Sequence, residues 1–164
     1  MNLRDLDQLL QRVADGGLEP AKAREILQGM PAISVGDLCL DTHREIRCGM
    51  PEVVYAKGKS HDQVMDAMAH LYECHGYVLA TGIEETLAVK LQAIYPTGVF
   101  VEKARLFKLS GMPRRALALP IRVVSAGVSD LPVALEALHT LEFAGYPCEH
   151  ISDVGVAGLH RLIS

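Results

Sequence analysis

The chain has 164 residues, 49% of them apolar and 22% charged, which is the make-up of a folded protein and excludes a disordered one. That length holds one full core or two very small ones, not two large domains. Sixteen basic against twenty acidic residues, spread along the chain, argue against a general nucleic-acid or membrane-surface binder and leave room for a small anionic ligand. No apolar run approaches the ~20 residues that span a bilayer, and Met1 opens onto Asn2-Leu3-Arg4-Asp5, so a cytoplasmic location is expected. Cys39, Cys48, Cys74 and Cys148 contain no Cys-x-x-Cys pair, which fits reduced thiols. Cys39, His43 and Cys48 do not have zinc-site spacing, so structural thiols and no bound metal are expected.

Leu3, Leu6, Leu9, Leu10 and Val13 recur at helical spacing and stop at Asp15-Gly16-Gly17. A second short helix begins near Pro20, shows an apolar face of Ala23, Ile26 and Leu27, and ends at Gly29. Residues 1–30 therefore read as a helical hairpin that must pack on something else, since such short helices are not stable alone. From Ile33 the pattern becomes strands alternating with helices, starting with Asp37–Leu40 and Val53–Ala56. Ser60-His61-Asp62-Gln63 has the form of a capping box, and the helix it opens places Val64, Met68, Leu71 and Tyr72 on one face before Gly76. Met65 and Met68 read as core filler. Tyr77–Thr81 is a buried strand, Glu84–Tyr95 a helix closed by Pro96, and Gly98–Val101 and Arg105–Leu109 two more strands. Residues 33–110 thus form a small α/β region. The turn-rich stretch that starts at Gly111-Met112-Pro113-Arg114-Arg115 reads as a linker over 111–120, with Arg114 and Arg115 as a solvated pair that could also touch a phosphate.

Ile121–Ala126 is a continuous apolar run of the kind found inside parallel sheets, and it runs into Gly127-Val128-Ser129-Asp130-Leu131-Pro132. A helix follows, with an apolar face of Val133, Ala137, Leu138 and Leu141. After Gly145 the chain re-enters a strand at Cys148–Val154, so residues 121–164 begin as a right-handed strand-helix-strand unit. Ligands of such units bind at the carboxyl ends of the strands. There Gly127 lets the backbone approach, Ser129 can hold a phosphate and Asp130 can accept from ribose hydroxyls. Ser129 or Asp130 can equally be an ordinary helix cap. The second strand leads into Asp153-Val154-Gly155-Val156-Ala157-Gly158-Leu159-His160-Arg161, where a histidine able to move protons stands beside an arginine able to grip an anion.

These two loops, Val124–Val133 and Asp153–Leu162, resemble the opening of the aminoimidazole ribonucleotide (AIR) carboxylase, or PurE-like, superfamily. Leu40-Asp41-Thr42-His43-Arg44, Arg47, Gly49, Pro51-Glu52-Val53-Val54 and Gly58-Lys59 narrow the resemblance to the pyridinium-3,5-biscarboxylic acid mononucleotide synthase (LarB) family. The resemblance implies an α/β fold: the helical hairpin and small α/β region, followed by the first strand-helix-strand unit of a flavodoxin-like parallel sheet. It also implies carboxylation of nicotinic acid adenine dinucleotide with carbon dioxide or bicarbonate, then release of AMP, in nickel-pincer cofactor biosynthesis. By position, His160 becomes the catalytic proton carrier. Gly127, Ser129, Asp130, Asp153, Gly155 and Arg161 become nucleotide-binding residues, and Arg44, Arg47, Glu52 and Lys59 candidate substrate contacts. Mg2+ and assembly into a homo-oligomer are further family implications. The family's covalent cysteine belongs to a later part of its domain, so none of the four thiols here inherits it. With only 44 residues from Ile121 onward, the chain is expected to be a truncated copy without the full activity, or to merge these strands into the preceding sheet. A purine-pathway carboxylase and a non-catalytic nucleotide-binding or regulatory remnant are the alternatives.

Overall fold

The structure, a computed structural model, describes residues 3–28 and 32–154. Helices α1 (Leu3–Ala14) and α2 (Pro20–Gln28) pack together as the expected hairpin. Gly16, at φ +72°, breaks the chain between them, a conformation in which a side chain would be strained. Strands β1 (Ile33–Val35) and β2 (Leu38–Leu40) form a small antiparallel ribbon around Gly36, and α3 (Arg44–Cys48) follows.

A four-stranded mixed sheet organises the next segment. Its strands are β3 (Val54–Tyr55), β4 (Val78–Thr81), β5 (Val99–Val101) and β6 (Leu106–Leu109), in the spatial order β3-β4-β6-β5. Only β3 and β4 run parallel, with α4 (His61–His75) as the crossover; β6 is antiparallel to both β4 and β5. Helix α5 (Glu85–Ile94) lies between β4 and β5, and a 3-10 turn (Glu102–Ala104) between β5 and β6.

Alternation along the strands sorts the core into two layers, because successive side chains point to opposite faces. Val78 and Ala80 join Phe107 and Leu109 under α4 and α5, whose Val64, Met68, Leu71, Leu87 and Leu91 are fully or almost fully buried. Leu79 and Leu106 point the other way and pack with Ala104, Met112 and Phe143. The capping box at Ser60 forms as the sequence predicts, with the Ser60 hydroxyl accepting from Gln63 N–H and the Gln63 side chain accepting from Ser60 N–H.

Phe143 belongs to α6 (Leu131–Phe143), the helix between β7 (Ile121–Val124) and β8 (Cys148–Ile151). Strands β7 and β8 pair in parallel, with Ile121 opposite Cys148 and Val124 opposite Ile151. They pair only with each other among the described strands, so they do not join the four-stranded sheet. Contact between the two parts runs through α6, which covers the second face of that sheet.

This docking changes two expectations. The buried face of α6 is built from Ala134, Leu135 and Phe143, whereas Val133 and Ala137 of the predicted face are exposed. An apolar helix packed on one sheet while flanked by another offers two candidate stripes, and only packing selects between them. Likewise β7 is not buried throughout: Ile121 and Val123 are half-buried, while Arg122 and Val124 face outward.

Arg115 is not a solvated charge either. It donates to the carbonyls of Ala144 and Gly49 and lies over the Tyr146 ring at 4.8 Å, tying residues 112–115 to the end of α6. Among the described residues no helix is long and apolar enough to cross a membrane, and no three His, Cys, Asp or Glu side chains gather into a metal site. Cys39 and Cys48 are exposed, in contrast to the buried thiols expected, because Cys39 points outward from the β1–β2 ribbon and Cys48 ends α3.

Candidate functional site

The carboxyl end of β7 carries the Gly127–Asp130 loop that the sequence singles out. Ser125 N–H donates to the Ile151 carbonyl and Val154 N–H to the Ser125 carbonyl, so the parallel ladder continues one step beyond the strands. Ser125 is buried, and its hydroxyl lies 2.9 Å from His150 Nε2, a polar contact inside the mouth that sequence reasoning did not anticipate. The chain then leaves the sheet at Gly127 and makes a 3-10 turn through Val128–Asp130 before α6 starts.

Asp130 closes that turn on itself. Its Oδ2 accepts from Gly127 N–H at 3.2 Å, and Oδ1 accepts from the Ser129 hydroxyl at 3.4 Å. Gly127, Ser129 and Asp130 are all exposed. Pro132 lies in the first turn of α6, where no backbone N–H is required. On the neighbouring strand Asp153 has φ +61°, a left-handed conformation that non-glycine residues seldom adopt and that marks a sharp exit from β8. The turn therefore brings Gly127, Ser129 and Asp130 to one strand end, with Asp153 following the adjacent strand. Gly155, His160 and Arg161 lie outside the described residues.

The candidate residues of the earlier segment serve a different place. Arg47 grips the Asp41 carboxylate with two nitrogens, and Asp41 N–H donates to Glu52. The Arg47 guanidinium holds the Asp41 carboxyl below its ordinary value. Asp41 also accepts from His43 N–H, so the Asp41–Arg47–Glu52 set fixes the passage from β2 into α3 and the approach to β3. Arg44 is exposed beside it. Lys59 stands apart, in the loop between β3 and α4, where its Nζ donates to the Tyr55 carbonyl at 2.8 Å.

Residues 32–111 match the LarB/PurE-like N-terminal domain. The chain carries a LarB/PurE-like N-terminal domain. It is also 36% identical over 139 residues to an uncharacterized protein of Methanocaldococcus jannaschii, an alignment that covers 76% of this chain and 51% of that protein. The chain thus spans about half the length of the curated relative it matches.

Arg44, Arg47, Glu52 and Lys59 fall inside the matched LarB/PurE-like domain, whereas the Gly127–Asp130 turn and Asp153 follow it. The domain also contains a buried polar cluster that the sequence did not reveal. Glu45 on α3 accepts from the Tyr77 hydroxyl at 2.8 Å, and its other oxygen is 3.1 Å from His75 Nδ1 at the end of α4. The His75 side chain is fully buried and that of Glu45 only 3% exposed. Burial lowers the His75 pKa more than Glu45 raises it, and burial followed by the Glu45 hydrogen bond pushes Tyr77 well above the ordinary phenol value. Glu45 lies 30 and 32 positions before His75 and Tyr77, which flank Gly76 at the end of α4, so no local motif announces the cluster.

Proposed function

We propose that this chain supplies the nucleotide-holding part of a carboxylase/hydrolase that converts nicotinic acid adenine dinucleotide to pyridinium-3,5-biscarboxylic acid mononucleotide and AMP. In that reaction a ring carbon gains a bond to carbon dioxide and loses its proton, and water then cleaves the phosphoanhydride. The observation that carries the reading is the Gly127–Asp130 turn at the carboxyl end of the parallel β7–α6–β8 unit, in a chain that carries a LarB/PurE-like N-terminal domain. Gly127 leaves the strand mouth without a side chain, and among the described residues the Ser129 hydroxyl and the Asp130 carboxylate bond only to their own turn. A ribose phosphate can take over both contacts: phosphate oxygens accept from Ser129 and Gly127 N–H, and ribose hydroxyls donate to Asp130. His160 as proton carrier and Arg161 as anion contact complete the proposal, with bicarbonate or carbon dioxide as co-substrate.

Calorimetric titration with nicotinic acid adenine dinucleotide, nicotinic acid mononucleotide and AMP tests the binding. Heat of binding that disappears in Asp130→Ala is expected, and no binding of any of the three refutes the reading. Incorporation of labelled bicarbonate into the pyridine ring tests the chemistry. A purine-pathway carboxylase is the weaker reading, because such an enzyme is not expected to carry an N-terminal region like residues 32–111.

A further inference from the structure

A cleft of about 460 Å3 opens at the carboxyl ends of β3 and β4, the one parallel pair of the four-stranded sheet. Its volume falls in the range of small-molecule sites, roughly 300–1,000 Å3. One wall is the loop after β3, a second is the segment joining β5 to β6, and the first turns of α6 close it at Pro132, Val133 and Glu136.

Its charge is unlike that of the chain as a whole. Lys57, Lys59, Lys103 and Arg105 line it against two carboxylates, Glu84 and Glu136, although the chain carries a net charge of −4. Arg105 pairs with Glu84 at 3.3 Å. The three lysines have no carboxylate partner among the described residues. Lys59 is held in place by its bond to the Tyr55 carbonyl and by Gly58 at φ +82°, and Arg105 sits in the left-handed region at φ +49°. A bulky residue in that conformation is a strained position of the kind that gathers at binding sites.

The backbone adds to the same field. His61 opens α4 in the cleft wall, and Glu84 precedes α5 there without a side-chain cap. Together with the first turns of α6, residues at the starts of three helices border the same space. Lysines from two separate segments suit an extended anion better than a single phosphate, which one lysine pair would satisfy.

We propose that this cleft is a second anion site, belonging to the N-terminal α/β domain, that takes a diphosphate group. Its assignment to the diphosphate of a dinucleotide substrate rests on the function proposed above; diphosphate binding itself does not. The test is titration of the 164-residue protein with inorganic diphosphate, nicotinic acid adenine dinucleotide and nicotinic acid mononucleotide at low salt. Wild type is compared with Lys57→Ala/Lys103→Ala and with Asp130→Ala. Both lysines are exposed, so the double variant keeps the fold, which circular dichroism verifies.

Diphosphate binding that weakens about tenfold or more in the double lysine variant and is unchanged in Asp130→Ala is expected. The dinucleotide should bind more tightly than the mononucleotide, by a margin that the lysine variant removes. Absence of diphosphate binding at millimolar concentration overturns the proposal, as does equal binding by wild type and the lysine variant. Diphosphate binding without dinucleotide binding would refute the function proposed above and leave this site standing.

Discussion

Replacing Phe143 with alanine tests whether α6 is a structural part of the N-terminal sheet. The Phe143 side chain is 1% exposed, packs with Leu79, Ala104 and Leu106, and meets the Tyr77 ring edge-on at a centroid distance of 6.0 Å. Truncating a buried phenylalanine costs about 3–5 kcal/mol, of which about 0.5–1.5 kcal/mol is the aromatic pair. Against a typical domain stability of about 5–15 kcal/mol, that is a large fraction. Urea unfolding followed by circular dichroism should show a much lower midpoint with an unchanged slope, and Phe143→Leu should lose less than about 1.5 kcal/mol. A single transition is expected, because α6 belongs to both parts. A loss below about 1 kcal/mol for Phe143→Ala, or two separate transitions in the wild type, would show that α6 does not hold the second face of the sheet.

Glu45→Ala should cost about 1–3 kcal/mol by urea denaturation, because it leaves the buried His75 ring and the half-buried Tyr77 hydroxyl without their partner. Stability should fall on acidification. Burial holds His75 and His43 below the ordinary 6.5, so below that pH the unfolded chain binds more protons and the folded state loses its advantage. The urea midpoint is therefore lower at pH 5.5 than at pH 7.5, and a level or rising midpoint would contradict the argument. Gly145→Ala should destabilise by about 1–3 kcal/mol, since Gly145 has φ +80° and an added Cβ would collide with the Pro113 carbonyl. Thermal melting of this variant against Gly127→Ala, where the backbone is extended and only Ser129 Oγ is near, separates the two effects.

The order of helices and strands follows from local chemistry and was legible in the chain. The capping box at Ser60, the terminators Gly16 and Gly76, and the strand-turn-helix-strand rhythm of residues 121–151 depend on neighbours within a few positions. The α3 helix was missed because Arg44–Cys48 is a single turn and a half with no apolar period of its own. The LarB/PurE-like domain was legible for the same reason as the elements: motifs such as Asp41–Arg47–Glu52 are compact in sequence, and the structure shows Arg47 and Glu52 both bonded to Asp41.

What only the tertiary structure decided is where segments distant in sequence meet. Whether β7 and β8 extend the first sheet or stand apart depends on which face of α6 wins the burial of Leu79 and Leu106, and the helix carries apolar residues on both. The Glu45–His75–Tyr77 cluster depends on α3 reaching the end of α4, and the lysine-lined cleft depends on three loops converging at one sheet edge. Sequence alone determined a chain of alternating helices and strands with a glycine-led strand-to-helix turn at Gly127–Asp130. Burial and long-range polar pairing, which have no local period, determined that one helix joins its two parts and that its positive charge gathers in a cleft.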